Sequence, residues 1–190
     1  GHIANAPGGV ARLRELVLQL AIQGMLVPQL ADDKIDFTLC ADLKERNIAG
    51  PYQPPSCWRW TNFGQALDFH GGGQPPKNTF STIQHEGYVQ LIQIRDLGES
   101  PQPVFIQKEL ASKFCTPDDI LVGRYGASVG KVFWGKHGAY NVALVKMVDL
   151  LGLYDKRFIF LLLKSPLGQS IFGGISRSAQ DGFNKKDIEK

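Results

Sequence analysis

Reactive side chains are scattered along these 190 residues, in patterns that mostly fail the chemistry they first suggest. The nearest approach to a phosphate loop is Gly123-Arg124-Tyr125-Gly126-Ala127-Ser128-Val129-Gly130-Lys131-Val132. A P-loop needs glycine, four residues, then Gly-Lys-Ser/Thr, so that backbone N–H groups wrap the phosphates and the hydroxyl reaches magnesium. Tyr125 occupies the place of the first glycine and Val132 that of the hydroxyl residue, so both ends fail. A strand–turn–strand with glycine in the tight places is the simpler reading. Asp118-Asp119 follows Pro117 and reads as turn chemistry, not as a magnesium nuclease site. His2, His70, His85 and His137 form no HxxxH pair, and Cys40, Cys57 and Cys115 form no CxxC pair. Cys115 has no sequence-near base and reads as a small buried residue. The Pro-Pro pairs at 54–55 and 75–76 lack the preceding Asn or Asp and the following aromatic of an adenine-handling methyltransferase loop. No catalytic residue, metal or cofactor is expected.

What remains is a set of polar and basic side chains suited to a nucleic acid. Lys77 and Asn78 follow a glycine triplet and Pro75-Pro76. Gln93 and Arg95 alternate with apolar residues along a strand-like run. Arg124 and Tyr125 sit on one side of a glycine, Ser128 and Lys131 on the other, and Lys136 occupies a turn. Arg177, Gln180 and Lys185 lie near the end of the chain. Gln and Asn can make paired hydrogen bonds to adenine in the major groove, and Arg to guanine. Lys, Ser and backbone N–H groups more often hold phosphates. Each residue taken singly also fits a solvated surface, and the net charge of +3 permits an anionic partner without demanding one.

These side chains need a scaffold. Hydrophobic residues make up 43% of the chain and charged residues 21%, enough for one sizeable folded domain and too apolar for wholesale disorder. The spacing of Val10, Leu13, Leu16, Val17, Leu20 and Ala21 predicts an amphipathic helix over residues 10–24, stopped by Gly24 and Pro28. Its stripe must meet either its own domain or a helix elsewhere. Residues 42–46 suggest a short helical piece. Gly50-Pro51-Tyr52-Gln53-Pro54-Pro55 marks a linker, which divides the chain into a helical segment (1–29), a linker (30–56) and a main domain (57–190). In that domain residues 61–69 suit a turn with a strand or short helix. Residues 88–94, 104–106, 120–122, 131–134 and 143–148 read as strands, 109–113 as a helical turn, and Gly138 as a turn. Residues 154–164 and 167–172 read as helices, with a strand still open for the first. Phe183 and the residues after it suit a strand or the start of a helix. The class implied is α+β, with a mixed or antiparallel sheet, short helices and an amphipathic helix in front. The odd, widely spaced cysteines suit a reducing cytoplasm. The longest apolar run, residues 158–163, is far short of the about 20 residues needed to cross a bilayer, so no membrane role is expected.

Four stretches resemble the specificity subunits of type I restriction-modification enzymes. Leu13-Arg14-Glu15 with Ala21-Ile22-Gln23-Gly24-Met25-Leu26-Val27-Pro28-Gln29 is similar to that family's Leu-Arg-Glu…Ala-x-x-Gly-Lys-Leu-Val-Pro-Gln helix end, with Met25 in place of lysine. Trp58-Arg59-Trp60 leading to Gly71-Gly72-Gly73-Gln74-Pro75 resembles its Trp-x-Trp opening and Gly-Gly-Thr-Pro loop, with Gln74 for threonine. The strand from Val89 to Leu97, followed by Asp119 to Val132, is the most specific block. Gly138-Ala139-Tyr140-Asn141-Val142-Ala143 then resembles an Ala-x-Asn-Gln stretch, with Val142 for glutamine. Gln180-Asp181-Gly182-Phe183-Asn184-Lys185-Lys186-Asp187-Ile188 resembles the closing Gln-x-Gly-Ile-Asn-Lys-Lys-Asp-Ile.

The resemblance implies one target-recognition domain, as in a fragment or a single-domain member, reading half of a split double-stranded DNA target without catalysis. It implies a DNA methyltransferase subunit as partner, a restriction or translocase subunit, and a homo- or hetero-dimer of half-subunits. Methyl transfer from S-adenosylmethionine and ATP-driven cleavage would belong to those partners. The rival expectation is a non-catalytic protein-docking module that uses the helix at 10–24 with Trp58 and Trp60.

Overall fold

A computed structural model describes residues 7–30, 32, 48–173 and 183. Two four-stranded sheets are stacked, with helices on the outer face of the first. The first sheet has β1 (Leu67–Gly71), β8 (Leu144–Asp149), β5 (Ile120–Gly123) and β6 (Val132–Trp134) in that order, all antiparallel. The second has β3 (Val104–Gln107), β2 (Tyr88–Ile92), β7 (Gly138–Tyr140) and β4 (Phe114–Cys115), with β2 and β7 parallel. The expected α+β class with mixed and antiparallel sheets is the one observed. Helix α1 (Gly9–Ile22) leads the chain, and α2 (Phe63–Ala66) precedes β1. Helices α3 (Lys156–Lys164) and α4 (Pro166–Ser170) close the first sheet.

Strand alternation sorts the core into layers. From β5, Ile120 and Val122 face the helices with Val145, Met147, Ile159 and Leu163. Leu121 faces the second sheet with Ile92, Cys115, Tyr140 and Leu144. Leu91, Val104, Ile106 and Ala139 form a third cluster, against which Phe80 packs. β5 is therefore buried along its whole length, which explains its unbroken apolar run.

Residues 154–164 left helix and strand open, and capping decides for helix. Asp155 accepts hydrogen bonds from the N–H groups of Arg157 (2.8 Å) and Phe158 (3.0 Å), satisfying donors that the first turn leaves free. Ser165 ends α3 and starts α4: its Oγ donates to Leu162 O and accepts from Gly168 N at 3.1 Å, with Pro166 in the first turn.

Helix α1 matches the predicted stripe but buries only Ile22. Val10, Leu13, Leu16, Val17 and Leu20 are 39–49% exposed. Its far end is tied down. The Tyr52 hydroxyl donates to Ile22 O at 3.1 Å, a Cβ on Gly24 would strike Pro55, and Trp58 meets Phe158 edge to face at 5.7 Å. Most of the expected linker, including the helical piece at 42–46, lies outside the described residues; its end, with Tyr52 and Pro55, lies against the end of α1.

Residues 61–69, read as a turn with a strand or short helix, hold a helical turn and the start of β1. Two differences from the sequence reading share one cause. Gly138, expected in a turn, opens β7, where a Cβ would lie 2.5 Å from Gln90 O. β4, only two residues long, was not anticipated. Such short strands carry too few residues for a periodic pattern and exist through their partners.

Tyr140 links the sheets. It is buried on β7, and its hydroxyl donates to His70 O on β1 at 3.2 Å. Burial, aided by Cys115 and Asp119, pushes its phenol from 10.0 up to about 12. The unfolded chain ionises first as pH rises, so this contribution to stability is intact below about pH 10 and is lost on the way to about 12. A shift of this size corresponds to roughly 2–3 kcal/mol. Urea unfolding of the wild type should therefore lose stability across that window. Tyr140→Phe should lose less there, and should cost about 1 kcal/mol at neutral pH through the missing bond to His70.

Candidate nucleic-acid interface

At residues 140–144 the chain passes from β7 in one sheet to β8 in the other, and of the polar candidates Gln93 and Arg124 adjoin this joint. Every strand end around this joint is bonded to it. Gly72 N donates to Leu144 O (3.1 Å) and Gly73 N to Tyr140 O (3.0 Å). Asn141 N donates to Ile92 O, Arg124 N to Ala143 O and Tyr140 N to Lys113 O, each at 3.0 Å. Asn141 Oδ1 accepts from Ala143 N at 3.1 Å, which turns the chain between the sheets. Asn141 and Tyr140 entered the sequence reading only through the resemblance, yet they organise the site.

The glycine triplet, read as a flexible loop, is the tightest packing here. A Cβ on Gly72 would stand 2.0 Å from Asn141 O and 2.7 Å from Tyr140 O, and one on Gly73 2.8 Å from Ser112 Oγ. Gly71 has room, with only Arg124 Nη1 at 3.6 Å.

The turn after β5 carries Arg124, Tyr125, Ser128 and Lys131 together. Five backbone donors between Gly123 and Lys131 are used internally. Gly123 N donates to Lys131 O (2.9 Å), Gly130 N to Gly123 O (3.1 Å) and Lys131 N to Ser128 O (2.9 Å). Ser128 and Val129 N–H groups go to Tyr125 O and Gly126 O. The N–H groups of Tyr125, Gly126 and Ala127, at the tip of the turn, make no backbone hydrogen bond among the described residues. The Ser128 hydroxyl donates to Tyr125 O, and Gln169 from α4 donates to Gly130 O at 2.8 Å, bracing the turn from behind. Gly126 and Gly130 take positive φ (52° and 77°), which their lack of Cβ permits. Lys131 is exposed, whereas Arg124, Tyr125 and Ser128 are half-buried. The Arg124 guanidinium lies over the Tyr125 ring at 5.4 Å, and its Nε donates to Phe183 O at 3.0 Å.

Gln93 follows β2 beside the joint. Its N–H donates to Asp96 Oδ2 at 2.8 Å, and its Nε2 is buried without a hydrogen-bond partner among the described residues. Asp96 itself is fully buried and also accepts from Gln102 N at 3.2 Å. Arg95 stands exposed on this turn. Lys136 reaches the same turn from the β6–β7 connection and donates through Nζ to Asp96 O at 2.5 Å. Lys77 and Asn78 are exposed on a separate 3-10 turn, led by buried Pro75 and pinned by Thr79 Oγ1 to Pro76 O at 2.6 Å. Arg177, Gln180 and Lys185 lie outside the described residues. Among the described residues no cluster of His, Cys, Asp and Glu is suited to a metal ion, and no helix is long and apolar enough to cross a membrane.

Comparison of the whole fold gives its relatives. The HsdS subunit from Thermoanaerobacter tengcongensis superposes with a TM-score of 0.56 over 95% of this chain, at 18% identity. This is the fold of a type I restriction-modification specificity subunit. A chain from work on complex assembly and conformational transition of the type I restriction-modification system gives the same TM-score of 0.56 over 95% of this chain, at 19% identity. The chain spans only 40–41% of the length of these two, so it corresponds to part of a specificity-subunit fold. No family model and no curated protein matches the sequence.

The joint makes a sharp prediction within this specificity-subunit fold. Gly72→Ala should destabilise the protein by about 3 kcal/mol or more, because its Cβ meets backbone that cannot swing aside. The neighbouring Gly71→Ala should stay within about 0.5 kcal/mol. Chemical denaturation of the two variants side by side tests this, and equal effects would remove the joint's special role.

Proposed function

We propose that this chain is a DNA target-recognition module of a type I restriction-modification complex, reading one half of a bipartite double-stranded target. The observation that carries the reading is the specificity-subunit fold over 95% of the chain. Sequence-specific contacts suit rigid elements with exposed polar tips, and several exposed turns of this fold have that character. Lys77, Arg95 and Lys131 are exposed and supply positive charge for phosphates. Asn78 is exposed on a pinned turn and suits a base edge, whereas Gln93 is half-buried with its Nε2 inside the fold and remains a candidate from the sequence. Tyr125 offers a ring and a hydroxyl, while Arg124, Ser128 and Lys136 have at least one polar group engaged within the fold. Arg177, Gln180 and Lys185 remain candidate contacts from the sequence.

In this role the chain does no chemistry. A DNA methyltransferase subunit and a restriction or translocase subunit supply methyl transfer and cleavage, in the cytoplasm. The exposed stripe of α1 supports the docking part of this role, since an apolar helix face of this extent is costly to leave in water. It suits a helix of such a complex, including one from a second half-subunit.

Two measurements test the proposal. With the chain assembled with its methyltransferase subunit, selection from a random duplex library at fixed salt should enrich one short motif. Lys131→Ala or Lys77→Ala should weaken binding evenly across sequences and lower the salt slope by about 1, whereas Asn78→Ala should relax the motif. A folded, assembled complex with no sequence preference would sink the reader role. Separately, Leu13→Asp with Val17→Asp should abolish co-purification of the methyltransferase subunit, with stability of the chain changing by no more than about 1 kcal/mol. Undiminished co-purification would place docking elsewhere.

A further inference from the structure

Arg124 stands at the meeting point of three remote parts of the chain. Its own N–H is bound to Ala143 O at the joint, and its Nη1 faces Gly71 at the end of β1. Its Nε donates to the carbonyl of Phe183, 59 residues further on, at 3.0 Å. Phe183 is only 2% exposed. Its ring sits edge to face with Phe69 at 5.6 Å and tilted against Phe172 at 5.5 Å. Phe69 in turn stacks on Phe63 at 5.4 Å. Phe183 thus plugs the floor of the first sheet, directly beneath the strand whose end carries the glycine triplet. A carbonyl drawn down with a buried ring needs a donor, and a guanidinium supplies a charge-assisted one with fixed direction.

We propose that Arg124 is a positioning residue, a clasp that holds the Phe183 plug against the ends of β1 and β5 and so keeps the turns around the joint in register. This rests on the DNA-reading function only for its consequence, because the clasp itself is a property of the fold. Arg124 then affects recognition through Phe183 and the glycine turn rather than by touching a base.

Amide hydrogen exchange on the intact chain separates the two roles. Arg124→Met keeps much of the side chain's bulk and removes its donors. Arg124→Lys keeps the charge but withdraws the fixed Nε donor, and serves where the Met variant fails to fold. A clasp predicts that peptides covering Phe69, Phe172 and Phe183 exchange about tenfold faster in either variant. It also predicts that Phe183→Ala reproduces this pattern and that the effects of Arg124→Met and Phe183→Ala are less than additive in the double variant. Unchanged exchange at these peptides in both Arg124 variants would overturn the proposal, as would strict additivity. DNA binding by the assembled complex then shows the consequence. Weakened binding by Phe183→Ala, which removes no charge, is expected. Absence of any sequence preference in the wild-type complex would count against the reader role alone and leave the exchange result standing.

Discussion

One short stretch of backbone holds the molecule together. Residues 140–144 leave one sheet and enter the other, and the ends of β1, β2 and β5, together with Lys113 just before β4, are hydrogen-bonded to them. Two stacked sheets need not share a chain segment at their contact; when they do, backbone groups at the crossing fall where neither sheet's ladder can reach them. Buried backbone groups left unpaired are costly, so the crossing has to be satisfied from outside both ladders. The glycine turn after β1 does this by approaching so closely that no side chain fits at Gly72. The bulky residue at the same place, Tyr140, fills the space between the sheets and sends its hydroxyl back to β1. The smallest and one of the largest residues are thus two halves of one contact.

The turn from Gly123 to Lys131 leaves this joint and spends five of its backbone N–H groups in holding its own shape. Buried Asp96 plays a similar part on a neighbouring turn, accepting from Gln93 and Gln102 while Lys136 donates to its carbonyl. A charged residue in such a place is structural first. Its cost in desolvation is offset by the hydrogen bonds it collects, and the gain is a turn that does not wander.

Much of the fold was legible in the sequence where periodicity extends over several residues. Helix α1, the runs that became β2, β5 and β8, and the two helices after Asp155 all appear where apolar spacing and capping residues place them. What was not legible depends on distant partners. β4 and β7 have two and three residues, and neither has a pattern apart from its neighbours. Composition reads Gly71-Gly72-Gly73 as slack, because glycine permits freedom and close approach alike and only the opposing chain decides between them. Among the candidate contacts, Lys77, Asn78, Arg95 and Lys131 stand exposed as a surface reading expects. Sequence had no means of showing that Lys136 reaches Asp96 or that Arg124 reaches Phe183, since both bonds join residues dozens of positions apart.

Burial differs sharply between Phe183 and helix α1. At Phe183 an aromatic ring is buried, its carbonyl is bonded, and three other rings surround it directly or through Phe69. At α1 five large apolar side chains stand exposed along one face, and only the last turn is docked. A helix of fourteen residues gains little from its own hydrogen bonds in water and takes its stability from whatever covers its apolar face. Local anchors such as Tyr52 and Trp58 fix where α1 starts from the domain, and so fix the direction in which its open face points. The domain thus completes its core around Phe183, while the apolar face of α1 gains cover from the described residues only at its last turn.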